Sequence, residues 1–383
     1  MKPDLGIYYE MLDEIAAATP SLSYLSKTWP DVDQWRRNTR SKVVELLAYD
    51  PPSVPLNARV ESSNLEDGVI REEISYDMPS GPRTHGFFLH PREYQRKLPA
   101  VVALHDHGSF FYFGKEKIVG FGNEPKILTE HKQKYYGARG WATELAKRGF
   151  AVLSVDMFLW GSRKIPMESV NEEFQKLFDG MTIGSDEYIR KYNEFWELNE
   201  CLMVVDSILN TGTSWPGIFS YEDRRSVDYL LTREEVDPQR IACGGLSGGG
   251  LRSIFLAGLD HRIKCGFCVG FMSTVRGILR NHIRCPPGHG LLMYAPQLFR
   301  HLDLPDIISL HAPSPLMIQY NIEDELFTIE GQRAADEKIA TIYSKQGLPG
   351  NYAGKFYPGV HKFDATMQEE VFRWLEEHLA KAT

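Results

Sequence analysis

Residues Arg240 to Gly258 read Arg-Ile-Ala-Cys-Gly-Gly-Leu-Ser-Gly-Gly-Gly-Leu-Arg-Ser-Ile-Phe-Leu-Ala-Gly, and the fold is decided there. A short apolar run, Ile241 to Cys243, meets a cluster of glycines. Beyond it Leu251, Ile254, Phe255 and Gly258 recur at helical spacing. The pattern is strand, sharp turn, helix, with Ser247 at the apex. Gly245-Leu246-Ser247-Gly248-Gly249 fits G-x-S-x-G, the pattern of a nucleophile elbow. A side chain on so tight a turn is forced into a strained backbone conformation, and flanking side chains would collide with strand or helix. The helix that follows aims free backbone N–H groups at the place where negative charge develops during attack on a carbonyl.

Outward from the elbow, strand and helix alternate. Ala100 to Leu104 is a continuous apolar run, as expected of a strand buried on both faces. Trp141 to Arg148 reads as a helix, Ala151 to Val155 as a strand, 221–232 as a helix and Ile263 to Val269 as a strand. Strand 315–320, helix 329–345, strand 353–357 and helix 364–380 complete the series. Repeated βα units predict a doubly wound, mostly parallel sheet. Two stretches interrupt the alternation. One, 157–220, is rich in aromatic residues with helical spacing in 185–209, and is read as an inserted helical cap over the strand ends. The second covers 271–312. Glu72 to Tyr76 and Thr84 to His90 are predicted to form a hairpin at a sheet edge. Before it, residues 1–60 read as helical, on Tyr8, Met11, Leu12, Ile15 and Ala16 and then on Trp35, Val43, Val44, Leu46 and Leu47. The expected organisation is an N-terminal helical extension over 1–70 and a main domain over 71–383.

The totals exclude several classes. Of 383 residues, 43% are hydrophobic and 25% charged, an ordinary globular balance. A net charge of −8 without a Lys/Arg run argues against nucleic-acid binding. No apolar stretch approaches the roughly 18–20 residues of a membrane span. The first ten residues lack the apolar core of a signal peptide, so a cytoplasmic location is expected, with a secreted protein stripped of its leader as the alternative. Five cysteines make no disulfide framework, and Cys265-Gly-Phe-Cys268 lies in a strand, where residues three apart face opposite sides.

An elbow serine needs a base, and the base an orienting acid. His361 follows a strand and a Pro358-Gly359 turn and precedes the last helix, at the sheet edge where open α/β sheets place their sites. Between them, after strand 316–320, Asn321-Ile322-Glu323-Asp324-Glu325 offers three carboxylates. Asp324, short and rigid, is the expected acid, the two glutamates facing solvent; Asp336, on the next helix, is disfavoured. The order Ser, Asp, His differs from the chymotrypsin and subtilisin orders. The oxyanion donors are expected to be the N–H of Gly248 and that of His107 in His105-Asp106-His107-Gly108-Ser109, with Asp106 and Gly108 left open. Losing one such donor costs roughly 3–4 kcal/mol of transition-state stabilisation. A metal on His105 and His107 would need further ligands on later strands, and none stands out. Phe110-Phe111-Tyr112-Phe113 is a candidate pocket wall, and Asp156 is read as structural.

These motifs, with Ala312-Pro313-Ser314-Pro315-Leu316 and Pro358-Gly359-Val360-His361-Lys362-Phe363, resemble the α/β-hydrolases of the dienelactone-hydrolase and acetyl-xylan-esterase-like type, from about residue 70 to 380. The resemblance implies a serine esterase with a Ser-His-Asp triad, no cofactor and no metal, acting on a small-molecule ester, short-chain or acetyl, on a carbohydrate among other alcohols. Two positions depart from the pattern: Ser314 where Arg is common, and Asn321 where Gly often precedes the acid. The small dienelactone hydrolases generally use a Cys nucleophile, so Ser247 favours ester over lactone chemistry. The alternatives are a peptidase or amidase of the prolyl-oligopeptidase kind and a non-catalytic binding protein with the same fold.

Overall fold

An apolar strand with no polar residue needs neighbours on both edges and cover on both faces, and the chain supplies both. In a computed structural model that describes residues 6–26, 29, 31–120, 122–280 and 291–380, nine strands form one sheet. In chain order they are β1 (Arg59–Glu66), β2 (Val69–Tyr76), β3 (Thr84–Pro91), β4 (Leu98–Leu104), β5 (Ala151–Val155), β6 (Val236–Leu246), β7 (Ile263–Val269), β8 (Leu316–Asn321) and β9 (Tyr352–Tyr357). Their order across the sheet is β1-β2-β3-β5-β4-β6-β7-β8-β9. The first three strands run antiparallel, β3 joins β5 antiparallel, and every later pairing is parallel.

Period-two alternation assigns the two faces of β4. Ala100, Val102 and Leu104 pack with Tyr229, Leu230 and Leu256 from helices Trp215–Leu230 and Gly248–Leu259. Val101 and Ala103 pack with Trp141, Leu145, Phe372 and Leu375 from helices Trp141–Ala146 and Ala365–Leu375 on the other face. A mostly parallel sheet covered on both sides is therefore present, as the alternation predicts.

Three sequence expectations need correction. The hairpin is not at the edge: β3 pairs onward with β5, and β1 lies outside it. Arg59-Val-Glu-Ser-Ser-Asn-Leu-Glu66 is exposed along nearly its whole length, so it shows no apolar alternation to mark it. Residues 59–66 are accordingly strand, not part of a helical extension. The helix expected over 221–232 begins at Trp215, inside the stretch taken as the first insert. Ser214 Oγ accepts the Gly217 N–H and Pro216 occupies the first turn, so a serine cap and a proline start the helix ahead of its apolar pattern. A helix over Lys126–Tyr136 was not expected at all.

The other N-terminal elements follow the reading. Helix Val32–Leu47 buries Trp35, Val43 and Leu47 and is tied to the body by Arg40, which donates to Gly258 O (2.8 Å) and Leu310 O (2.7 Å). Helix Tyr9–Ala16 is present, with Met11 and Ile15 exposed. The first insert folds into helix Asp186–Asn199, which runs into one π-helical turn, Glu200–Val205. Residues 281–290 of the second insert lie outside the described residues. Cys265 and Cys268 are buried and free. Asp156 accepts from the Lys115 N–H (2.8 Å), the Lys115 ammonium (2.7 Å) and Ser162, a structural knot. Asp336 stays on its helix and accepts from Tyr352 Oη (2.5 Å).

Candidate active site

Strand β6 delivers Ser247 to the C-terminal edge of the sheet at φ +58°, ψ −120°, a conformation a non-glycine residue adopts only under constraint. The constraint is contact between backbones. A Cβ on Gly245 would lie 2.0 Å from Leu104 O, and one on Gly249 2.1 Å from the same oxygen. The elbow can close against β4 only because neither residue has a side chain. Ser247 N–H donates to Val269 O at the end of β7 (2.9 Å).

The loops after β8 and β9 bring Asp324 and His361 to this edge. His361 Nδ1 lies 2.6 Å from Asp324 Oδ2, with the Asp324 side chain fully buried and the imidazole 15% exposed. The other carboxylate oxygen accepts the Leu326 N–H (2.9 Å). An acceptor at Nδ1 fixes the proton there and leaves Nε2 as the basic nitrogen. The two loops are also tied to each other. Glu323 N–H donates to Gly359 O (3.2 Å), the Glu323 carboxylate accepts the Gly359 N–H, and Lys362 N–H donates to Asn321 Oδ1 (3.2 Å). Asn321, which departs from the usual glycine, thus holds the histidine loop. Glu323 and Glu325 are exposed, as expected.

The imidazole packs beside the elbow. A Cβ on Gly270, the residue after Val269, would sit 3.1 Å from His361 Cε1 and 3.1 Å from Leu246 Cδ1. Ser247 Oγ itself is buried and makes no hydrogen bond among the described residues. The hydroxyl–imidazole bond is thus not made here, and in free enzymes such bonds are often long until substrate is in place.

The loop after β4 completes the cluster. A Cβ on Gly248 would lie 2.8 Å from His107 N, so the backbone of the loop after β4 passes directly against the residue that follows Ser247. The His107 ring is fully buried. Its Nδ1 accepts the Ser109 N–H (2.9 Å), so Nε2 carries the proton given to Glu200, 2.9 Å from Oε1 and 3.1 Å from Oε2. Burial raises the Glu200 carboxyl, and His107 opposes that rise. Edge-on contacts from Phe111 (5.2 Å) and Trp160 (5.0 Å) close around the imidazole. His105 Nε2 accepts the Met157 N–H (3.1 Å) and its Nδ1–H donates to Asp106 O (2.9 Å). Burial, with Lys117 and Arg252 nearby, holds His105 well below the usual histidine range and therefore neutral. Both histidines spend their ring nitrogens within the protein.

Asp106 is buried as well. Burial alone would raise its carboxyl, but the Lys117 ammonium, His131 (3.2 Å) and the Tyr136 hydroxyl outweigh that and hold it well below the carboxylate range. Lys117 and Glu200 escaped the sequence reading. Glu200 had a signal, since it falls four residues after Trp196 and eight after Tyr192, on the buried stripe of its helix. Lys117, in a short turn after the aromatic run, had none.

No family model matches the chain. A candidate hydrolase of Bacillus subtilis (strain 168), YtaP, is 25% identical over 344 residues, which are 90% of this chain and all of YtaP. A candidate acetyl xylan esterase from Bacteroides fragilis NCTC 9343 superposes with a TM-score of 0.68 at 17% identity, covering 91% of this chain and 82% of its own. A glucuronoyl esterase from Solibacter usitatus gives 0.59 at 14% identity, over 94% and 98% of the two chains. Sheet order, elbow and these near full-length superpositions together establish that the chain has the α/β-hydrolase fold.

Proposed function

We propose that the chain is a serine hydrolase of carboxylic esters of the carbohydrate type. The observation that carries this reading is the convergence at one sheet edge of Ser247 on its strained elbow, the Asp324–His361 pair, and the His107 backbone nitrogen against Gly248. In the proposed reaction His361 Nε2 accepts the Ser247 proton as Oγ attacks the ester carbonyl. Asp324 holds the ring and stabilises its charged form. The oxyanion rests on the Gly248 and His107 N–H groups. His361 returns the proton to the leaving alcohol, and water repeats the cycle on the acyl-enzyme.

The alcohol side of the substrate has a place to go. A cavity of about 460 Å³ opens beside the oxyanion loop, between Ser109 and Phe110 on one side and Tyr135, Arg190, Asn193 and Glu194 on the other. The Tyr135 ring stands 6.3 Å from the His361 ring. Aromatic faces among several donors and acceptors suit a polyhydroxylated alcohol, in keeping with the sugar-ester names of the structural neighbours. An acetyl or other short acyl group is the proposed acid part.

The test is Ser247→Ala assayed on p-nitrophenyl acetate, acetylated xylan and a methyl glucuronate ester. Activity is expected to fall on the order of 10⁴-fold or more with the fold retained. Undiminished turnover, contaminating esterase excluded, would defeat the reading.

A further inference from the structure

The proposed oxyanion hole has a buried cation behind it. We infer that Lys117 is a positioning residue: its ammonium turns the Asp106–His107 peptide so that the His107 N–H faces the elbow. The inference rests on the esterase reading above.

The geometry is that of a trans peptide, in which C=O and N–H point in opposite directions. Asp106 O is held from behind by the Lys117 ammonium and by the His105 Nδ1–H at 2.9 Å. The next carbonyl, His107 O, is held by the same ammonium at 3.1 Å, by Trp160 Nε1 at 3.2 Å and by the Phe110 N–H at 3.2 Å. With both carbonyls anchored, the nitrogen between them is fixed against Gly248, 2.8 Å from where a Cβ would stand there. Only an ammonium offers three donors from one atom. The third points at Asp106 Oδ2, 3.4 Å away, so the charge that positions the loop is neutralised by the same loop.

The charged and titratable groups facing Lys117 are Asp106, His105, Asp156 and Arg252, with His131 and Tyr136 acting through Asp106. Burial pushes Lys117 down to about 8, with Asp106 pulling it back up. A lowered lysine is charged below that value and neutral above it. The loop therefore loses its anchor charge at mildly alkaline pH. A merely structural partner for Asp106 would affect stability there and leave the reacting geometry alone.

Lys117→Met is the first variant, read on p-nitrophenyl acetate and on an alkyl trifluoromethyl ketone, which forms a tetrahedral oxyanion adduct with the serine. The expected result is a roughly 30-fold drop in kcat, KM within about twofold, and ketone affinity weakened by about the same factor as kcat. A folded variant whose ketone affinity equals the parent's overturns the inference, whatever its kcat. The unmodified protein supplies a second measurement should the variant not fold. Its kcat and ketone affinity should fall together above about pH 8. Constant values of both up to about pH 9.5 overturn the inference. Ser247→Ala in parallel separates the two levels. If it is inactive and the parent active, failure of the Lys117 result concerns positioning alone. If it stays active, the esterase reading and this inference fall together.

Discussion

Ser247 and His107 meet across the same gap, yet they are held by different means. The elbow is fixed by backbone: strand β6 on one side, a helix on the other, and glycines where β4 comes within about 2 Å of any added carbon. The loop proposed to carry the oxyanion is fixed by side chains, those of Lys117, Trp160 and Glu200, the last of which lies 93 residues beyond His107. Backbone constraint fails when an atom is added, and side-chain constraint fails when one is removed. That contrast can be broken by experiment.

Its strongest form is Gly249→Ala. The new methyl carbon would stand 2.1 Å from Leu104 O, a backbone atom that cannot swing aside. Overpacking of this kind costs about 1–3 kcal/mol, and the shift would move Ser247 with it. Thermal unfolding and kcat/KM should both suffer, activity by roughly 100-fold or more, since misplacement near 1 Å costs that much. Parent-like stability and turnover would show that the elbow is looser than its contacts imply.

On the other side of the gap the expected break is smaller and comes from deletion. Glu200→Ala removes the carboxylate from a fully buried His107 ring, a loss of about 1–3 kcal/mol, with kcat lowered roughly tenfold as the loop loosens. Glu200→Gln keeps an acceptor and should recover most of both. Its pH behaviour sharpens the point. Burial raises the Glu200 carboxyl, so the folded chain holds that proton more tightly than the unfolded one. The residue's contribution is then fullest below the unfolded carboxyl range and declines as pH rises through the folded value. Glutamine has no proton to lose, so the Tm of Glu200→Gln relative to the parent should rise between pH 4 and pH 8. A difference that stays constant over that range would show that Glu200 does not titrate in this way.

The same contrast explains what could be read from the chain. Ser247, Asp324 and His361 each end a strand or follow one, and the strands show themselves as apolar runs bounded by turn residues, so their places could be counted off. The core of the sheet was legible for that reason. Strand β1 was not, because a solvated edge strand has no buried face to pattern it. Helix Trp215–Leu230 starts ahead of the expected 221–232 because its beginning is marked by a serine cap and a proline and not by apolar spacing. Lys117 carries no periodicity whatever. Its neighbours in space, Asp106 and Trp160, lie on two different loops, and only folding puts them around one ammonium. Asn321 shows the converse: a departure from a familiar pattern that turns out to hold the His361 loop.

The smallest expected effect lies at the rim of the cavity, where neither backbone nor buried side chains hold anything. Arg190 pairs with Glu130 at 2.8 Å, but the two side chains are 57% and 48% exposed, so their attraction is screened by solvent and holds little in place. Arg190→Ala should therefore leave Tm almost unchanged. If the cavity receives a sugar alcohol, the variant should raise KM for an acetylated xylo-oligosaccharide a few-fold, about what one lost hydrogen bond is worth, and leave p-nitrophenyl acetate untouched. Equal shifts on both esters would point to a loop displaced by the mutation. No shift on either would move the alcohol out of this cavity while leaving Ser247, Asp324 and His361 where they are.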